Sequence, residues 1–98
     1  MIIRIVKMKF HPDYCDQFVQ VFHKTRPVIL TFEGCSEVKL LQSESDPTIF
    51  STFSRWDSVA HLDHYRFSEF FKMTWTTIKP WMTEKADAVS YLEISSHE

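Results

Sequence analysis

From Ile2 to Phe10 (IIRIVKMKF) the chain puts Ile3 and Ile5 on one face and Arg4, Val6, Met8 and Phe10 on the other. Strand side chains alternate between two faces, so this β-branched run predicts a strand with apolar residues, and buried surface, on both sides. After Pro12 and Asp13 the period changes. Tyr14, Phe18, Val21 and Phe22 recur at helical spacing while Asp16, Gln17, Gln20 and Lys24 point elsewhere, which predicts an amphipathic helix of about three turns. A residue before proline avoids the α region, so Arg26-Pro27 is expected to break or kink that helix. Val28 to Phe32 then forms another short turn before Gly34, the only glycine, which marks the exit.

Cys35 to Gln42 and Thr48 to Trp56 read as two further strands, joined into a hairpin by the polar turn Ser43-Glu44-Ser45-Asp46-Pro47. Asp57 or Ser58 can cap a helix bearing Val59, Leu62 and Tyr65. Ser68-Glu69 supplies a fresh cap for a second helix with Phe70, Phe71, Met73, Trp75 and Ile78, stopped near Pro80. Ala86 to Ile94 reads as a last strand, followed by a frayed polar tail from Ser95 to Glu98. The order strand, helix, strand, strand, helix pair, strand is the βαββαβ pattern of an α+β, ferredoxin-like fold, expected as one domain over residues 1–98. Helices in that topology cover one face of an antiparallel sheet, so the apolar residues on the other face require a second cover. A homodimer whose sheets face each other supplies it.

Composition narrows the function classes. Nine Phe, three Trp and three Tyr exceed what a small two-layer core needs, which points to a pocket or a subunit interface. A net charge of -2, with eleven Lys and Arg scattered among thirteen acids, argues against nucleic acid and against an anionic membrane surface as partners. No apolar stretch approaches the roughly 20 residues that span a bilayer, and the N-terminal segment lacks a signal-peptide core, so a cytoplasmic location is expected. Cys15 and Cys35 have no C-x-x-C spacing and read as free thiols.

The stretch from Phe53 to Phe71, FSRWDSVAHLDHYRFSEFF, has a strand ending in Trp56, then a short helix, then a helix led by Ser68. With the first strand, the amphipathic helix and Glu33-Gly34, it resembles the antibiotic biosynthesis monooxygenase (ABM) family over nearly the whole chain. That resemblance implies a dimeric α+β barrel and reactions ranging from cofactor-free oxygenation of quinols and polyketide aromatics to oxidative haem cleavage and isomerase-like chemistry on small sugars. Fold therefore leaves function open. The haem-cleaving members use a first-strand Asn, a helical Trp and a proximal His that ligates iron. The matching positions here are Val6, Tyr65 and Trp75. Indole cannot ligate iron, so haem chemistry is not expected. Many other members carry His where this chain has Tyr65.

The resemblance puts Tyr65 and Trp75 at functional positions, where with Phe22, Phe53 and Phe71 they would wall an apolar pocket for a small planar aromatic. Read from spacing alone, the same residues are core aromatics. Tyr65, His64 and His23 are the candidates for orienting the substrate or accepting its proton, since a histidine titrates near neutral pH. His61 and His64 lie one turn apart near Asp57, but no third ligand is evident and no metal is expected. Arg26 and Arg55 read as surface ion pairs. One glycine cannot build a nucleotide loop, so no flavin or nicotinamide cofactor is expected either. Two functions fit: a cofactor-independent monooxygenase acting on a small aromatic or quinol-like substrate, and a non-catalytic dimeric module that binds a small ligand or regulates a partner. A titratable group placed within reach of the ligand separates them.

Overall fold

The computed structural model describes residues 1–94. Four antiparallel strands, β1 (Ile2–Lys9), β2 (Cys35–Gln42), β3 (Ile49–Trp56) and β4 (Asp87–Leu92), form one sheet in the order β2-β3-β1-β4. The helices are α1 (Cys15–Ile29), α2 (Val59–Arg66) and α3 (Glu69–Ile78). This is the α+β, ferredoxin-like arrangement expected from the element order. No helix among the described residues is long and apolar enough to cross a membrane. The polar tail read at Ser95 to Glu98 lies outside the described residues.

Register decides which residues meet the helices. Ile2, Arg4, Val6 and Met8 pair with Trp56, Ser54, Thr52 and Phe50, and these eight share the inner face. Phe10, Phe18 and Phe50 close one end of the layer, with Phe10 and Phe18 stacked at 4.2 Å and Phe50 edge-on to both. At the other end Trp56, fully buried, packs with Ile2, Phe22, Ile29, Val38 and Leu62. Its indole N–H donates to Ser54 Oγ at 2.9 Å, so even this interior donor is satisfied.

Helix boundaries follow local chemistry. Ser58 Oγ accepts from the His61 N–H at 3.2 Å, and Ser68 Oγ accepts from the Phe71 N–H at 3.1 Å while donating to the Tyr65 carbonyl at 2.7 Å. One Ser therefore ends α2 and starts α3. The helix around Pro27 differs from expectation: α1 runs through it to Ile29. Proline at that point removes one backbone donor near the helix end, and the buried side chains of Phe22 and Ile29 hold both sides against the sheet. The helix also begins later than Pro12, which lies in a 3-10 turn ending at Tyr14. Gly34 has φ +85°, and a Cβ there would collide with the His61 side chain. The bare backbone lets α2 sit against the α1–β2 turn, where the Asp57 N–H donates to the Gly34 carbonyl at 2.8 Å.

Candidate active site

Between the packed ends of the inner layer lies a cavity of about 400 Å³, within the range of small-molecule sites. Its floor is the inner face of β1 (Arg4, Val6, Met8) with Thr52 and Ser54 of β3 and Val38 of β2. From α1 come Phe18, Phe22, Thr25 and Ile29, spaced so that one helix face meets the floor. Tyr65 and Arg66 at the end of α2, Phe67 at the joint, and Phe71 and Trp75 on α3 complete the walls. Phe67 is 77% exposed and marks the rim.

The aromatic side chains form one continuous wall. The Tyr65 ring stacks on Trp56 at 5.1 Å and stands edge-on to Phe71 at 5.1 Å. Phe71 in turn lies parallel to Trp75 at 6.2 Å. Such offset and edge-on contacts hold the Tyr65 ring more narrowly than aliphatic packing does. Burial pushes the Tyr65 phenol well above the ordinary tyrosine range, with the neighbouring Cys35 adding to the rise. At neutral pH it is a donor-bearing phenol and not a base.

The polar lining is cationic or neutral. Arg4, Arg66 and Tyr65 are the ionisable groups among the lining side chains, and none of the lining side chains is a carboxylate, imidazole or thiol. Arg66 is paired with Asp63 at 3.3 Å. Arg4 bonds Ser90 Oγ at 2.9 Å and has no carboxylate partner among the described residues. Desolvation lowers the Arg4 pKa, repulsion from Arg66 lowers it further, and Asp63 opposes both. Thr25 and Thr74 donate to carbonyls of their own helices at 3.3 and 2.9 Å.

The candidates from the sequence divide cleanly. Tyr65, Trp75, Phe71 and Phe22 meet at the cavity. Phe53 does not: it pairs with Ile5 on the outer face, beneath Lys39 and Arg55 at 4.8 and 5.6 Å. His23 follows the buried Phe22 by one helical step and is exposed, and His64 precedes Tyr65 and is exposed beside Phe32. Neither histidine lines the cavity. His61 is engaged by Ser58 at 2.8 Å and by Glu33 at 3.9 Å. Arg26 ties α1 to β2 by donating to the Val38 carbonyl at 2.7 Å, and Arg55 pairs with Glu37 and Glu93 on the outer face. Arg4 and Arg66 went unnoticed as site residues, although Arg4 stands out as the one charge in the inner register Ile2, Arg4, Val6, Met8.

The profile of the antibiotic biosynthesis monooxygenase family matches residues 1–74. This chain belongs to that family. Among solved structures, one assigned as an antibiotic biosynthesis monooxygenase from Nitrosomonas europaea superposes with a TM-score of 0.89 at 20% identity, over 97% of this chain and 100% of that one. A conserved protein of Methanosarcina mazei gives 0.86 at 22% identity over 93% and 91%. The protein Rv0793 of Mycobacterium tuberculosis gives 0.89 at 15% identity over 99% and 98%. No curated protein matches. The ABM fold thus persists at identities where side chains have largely changed, and the cavity's chemistry must be read from this chain's own residues. Trp75 stands on α3 in the cavity wall, and its indole is a donor only, with no lone pair to offer a haem iron.

Proposed function

We propose that this ABM protein is a monooxygenase that oxygenates a small planar aromatic, of the quinol or naphthol kind, in the cavity between sheet and helices and without an added cofactor. The observation that carries the reading is the aromatic wall from Trp56 through Tyr65 and Phe71 to Trp75, set against a floor that offers donors and positive charge. Such a substrate loses its hydroxyl proton to water, and Arg4 with the Tyr65 hydroxyl stabilises the resulting oxyanion. The anion passes one electron to dioxygen, the two radicals join at a ring carbon, and the peroxide loses water to leave a carbonyl. One oxygen atom enters the ring and the other leaves as water, carrying the hydrogens of the original O–H and C–H. The protein supplies a dry pocket, orientation and charge, the contributions that such chemistry needs.

The outer sheet face supports a homodimer as the working form. Ile3, Ile5, Phe53, Val89 and Tyr91 share that face, and Tyr91 is 51% exposed in the single chain. A second copy placed sheet to sheet would cover them.

The absence of a carboxylate, imidazole or thiol from the lining favours a second reading, a dimeric module that binds a small aromatic without turning it over. Oxygen uptake separates the two. Purified, metal-stripped protein is given a panel of quinols and naphthols under labelled dioxygen. Uptake without added cofactor, one labelled atom per product, and loss of turnover by about a hundredfold in a Tyr65→Phe, Trp75→Ala double variant are expected, as for removal of an oxyanion donor and its supporting wall. Binding across the panel with no uptake would transfer the assignment to the binding module.

A further inference from the structure

We infer that the cavity takes its ligand as a mono-anion: a planar aromatic whose one ionised oxygen acid, phenolate or carboxylate, sits on the Arg4 guanidinium, with Arg66 alongside. This rests on the cavity being the substrate site proposed above, and it names the substrate class more narrowly.

A guanidinium carries five N–H donors in a planar fork suited to two oxygens of one acid. Arg55 on the outer face meets Glu37 and Glu93, and Arg26 meets a carbonyl. Arg4 donates to one hydroxyl, that of Ser90, and lines the cavity with no carboxylate bonded to it among the described residues. Two charged groups act on it: Arg66, which repels it, and Asp63, which attracts it and is already bonded to Arg66. Two guanidiniums and one carboxylate leave a local charge of about one positive unit. Holding a second cation against Arg4 in a partly dry pocket opposes its charge unless an anion is bound there.

The neighbours of Arg4 on the floor complete the case. Ser54 Oγ is already committed as acceptor to the Trp56 indole, and Val6 and Met8 continue the strand as apolar surface. One end of a flat ligand therefore meets charge while its body lies along Val6, Met8, Phe71 and Trp75. An ionised acid also removes the need for a base, which the lining does not provide.

Binding of three naphthalenes of nearly equal shape to the full chain tests this at one neutral pH, by calorimetry: 2-naphthoate, a nitronaphthol that is ionised at that pH, and neutral 2-naphthalenemethanol. At least one anion is expected to bind about ten- to a hundredfold more tightly than the alcohol, the range of a charge-assisted hydrogen bond. Arg4→Gln should abolish that preference by weakening the anions far more than the alcohol, Arg4→Lys should retain part of it, and Arg66→Gln should reduce it less because Asp63 already offsets Arg66. Preference for naphthoate alone assigns a carboxylate, and for the naphtholate alone the phenolic oxygen. Equal affinities for anions and alcohol, or an Arg4→Gln loss shared by all three, would overturn the inference; circular dichroism melts of each variant separate either outcome from misfolding. Anion preference without oxygen uptake would leave the anion site standing and remove the monooxygenase reading, and uptake without preference would do the reverse.

Discussion

Arg4 and Arg55 stand one register step apart on adjacent strands, yet on opposite faces of the sheet. On the outer face Arg55 is held by Glu37 and Glu93, and those hydrogen bonds raise its pKa. On the inner face Arg4 is desolvated, faces a second arginine and has its pKa lowered. The residue type is the same; the partners differ because a strand turns alternate side chains to opposite environments. The outer face is a charge-balanced surface over Phe53 with apolar residues beside it, and the inner face keeps an unbalanced positive charge beside an aromatic cavity. A face that is balanced contributes to folding or assembly. An imbalance kept beside a cavity points to a ligand.

The sharpest test of this contrast is the cost of deleting an aromatic from each side. Trp56→Ala on the inner face is expected to cost about 3–5 kcal/mol in urea unfolding, because it empties a fully buried site that supports Tyr65. Phe53→Ala on the outer face should cost below about 2 kcal/mol, since its ring is only partly covered within the chain. Equal losses would mean that the outer face is as integral to the chain's own core as the inner one.

A smaller effect follows from Tyr65. Burial favours its neutral phenol, so its pKa in the fold stands above the unfolded value of about 10. Stability that depends on the neutral form is complete below pH ~10 and is lost as pH rises through the folded-state value. Unfolding of wild type and Tyr65→Phe should therefore differ by about 1 kcal/mol or less at neutral pH, with the balance moving against wild type above pH ~10. A difference that stays constant across the alkaline range would show that the phenol is not held in a dry setting.

The smallest effect is expected from Arg55→Gln, measured as the thermal midpoint and the affinity for an aromatic anion. Both should stay close to wild type, because exposed ion pairs contribute little and this one lies on the far side of the sheet from the cavity. An affinity loss matching that of Arg4→Gln would erase the distinction between the faces.

Much of the architecture was legible because it rests on local rules. The strand alternation, the cap at Ser68 and the glycine exit at Gly34 each depend on a few neighbouring residues and stand where expected, and of the two caps offered for α2, Asp57 or Ser58, the structure uses Ser58. Pro27 shows the limit: the local rule predicts a break, but buried side chains on both sides carry α1 through it. The candidate site was legible in its helical half. Tyr65 and Trp75 were placed by the family resemblance, with Phe71 and Phe22 beside them, and all four line the cavity; spacing alone reads the same residues as core. His23 and His64 adjoin cavity residues in sequence, and a single helical step of about 100° takes both away from it.

The sheet half was not legible, for a specific reason. With apolar residues on both faces of β1 and β3, a period of two identifies two sets of residues without saying which set meets the helices. By itself the sequence determined the order of elements, their caps and the family, since these depend on local propensity and pattern. Only the tertiary structure decided that Phe53 turns outward, that Arg4 turns inward, and that Arg4 shares its cavity with Arg66 from an element more than fifty residues away. Strand register and helix docking set those distances, and electrostatics acts through distance in space, not separation along the chain.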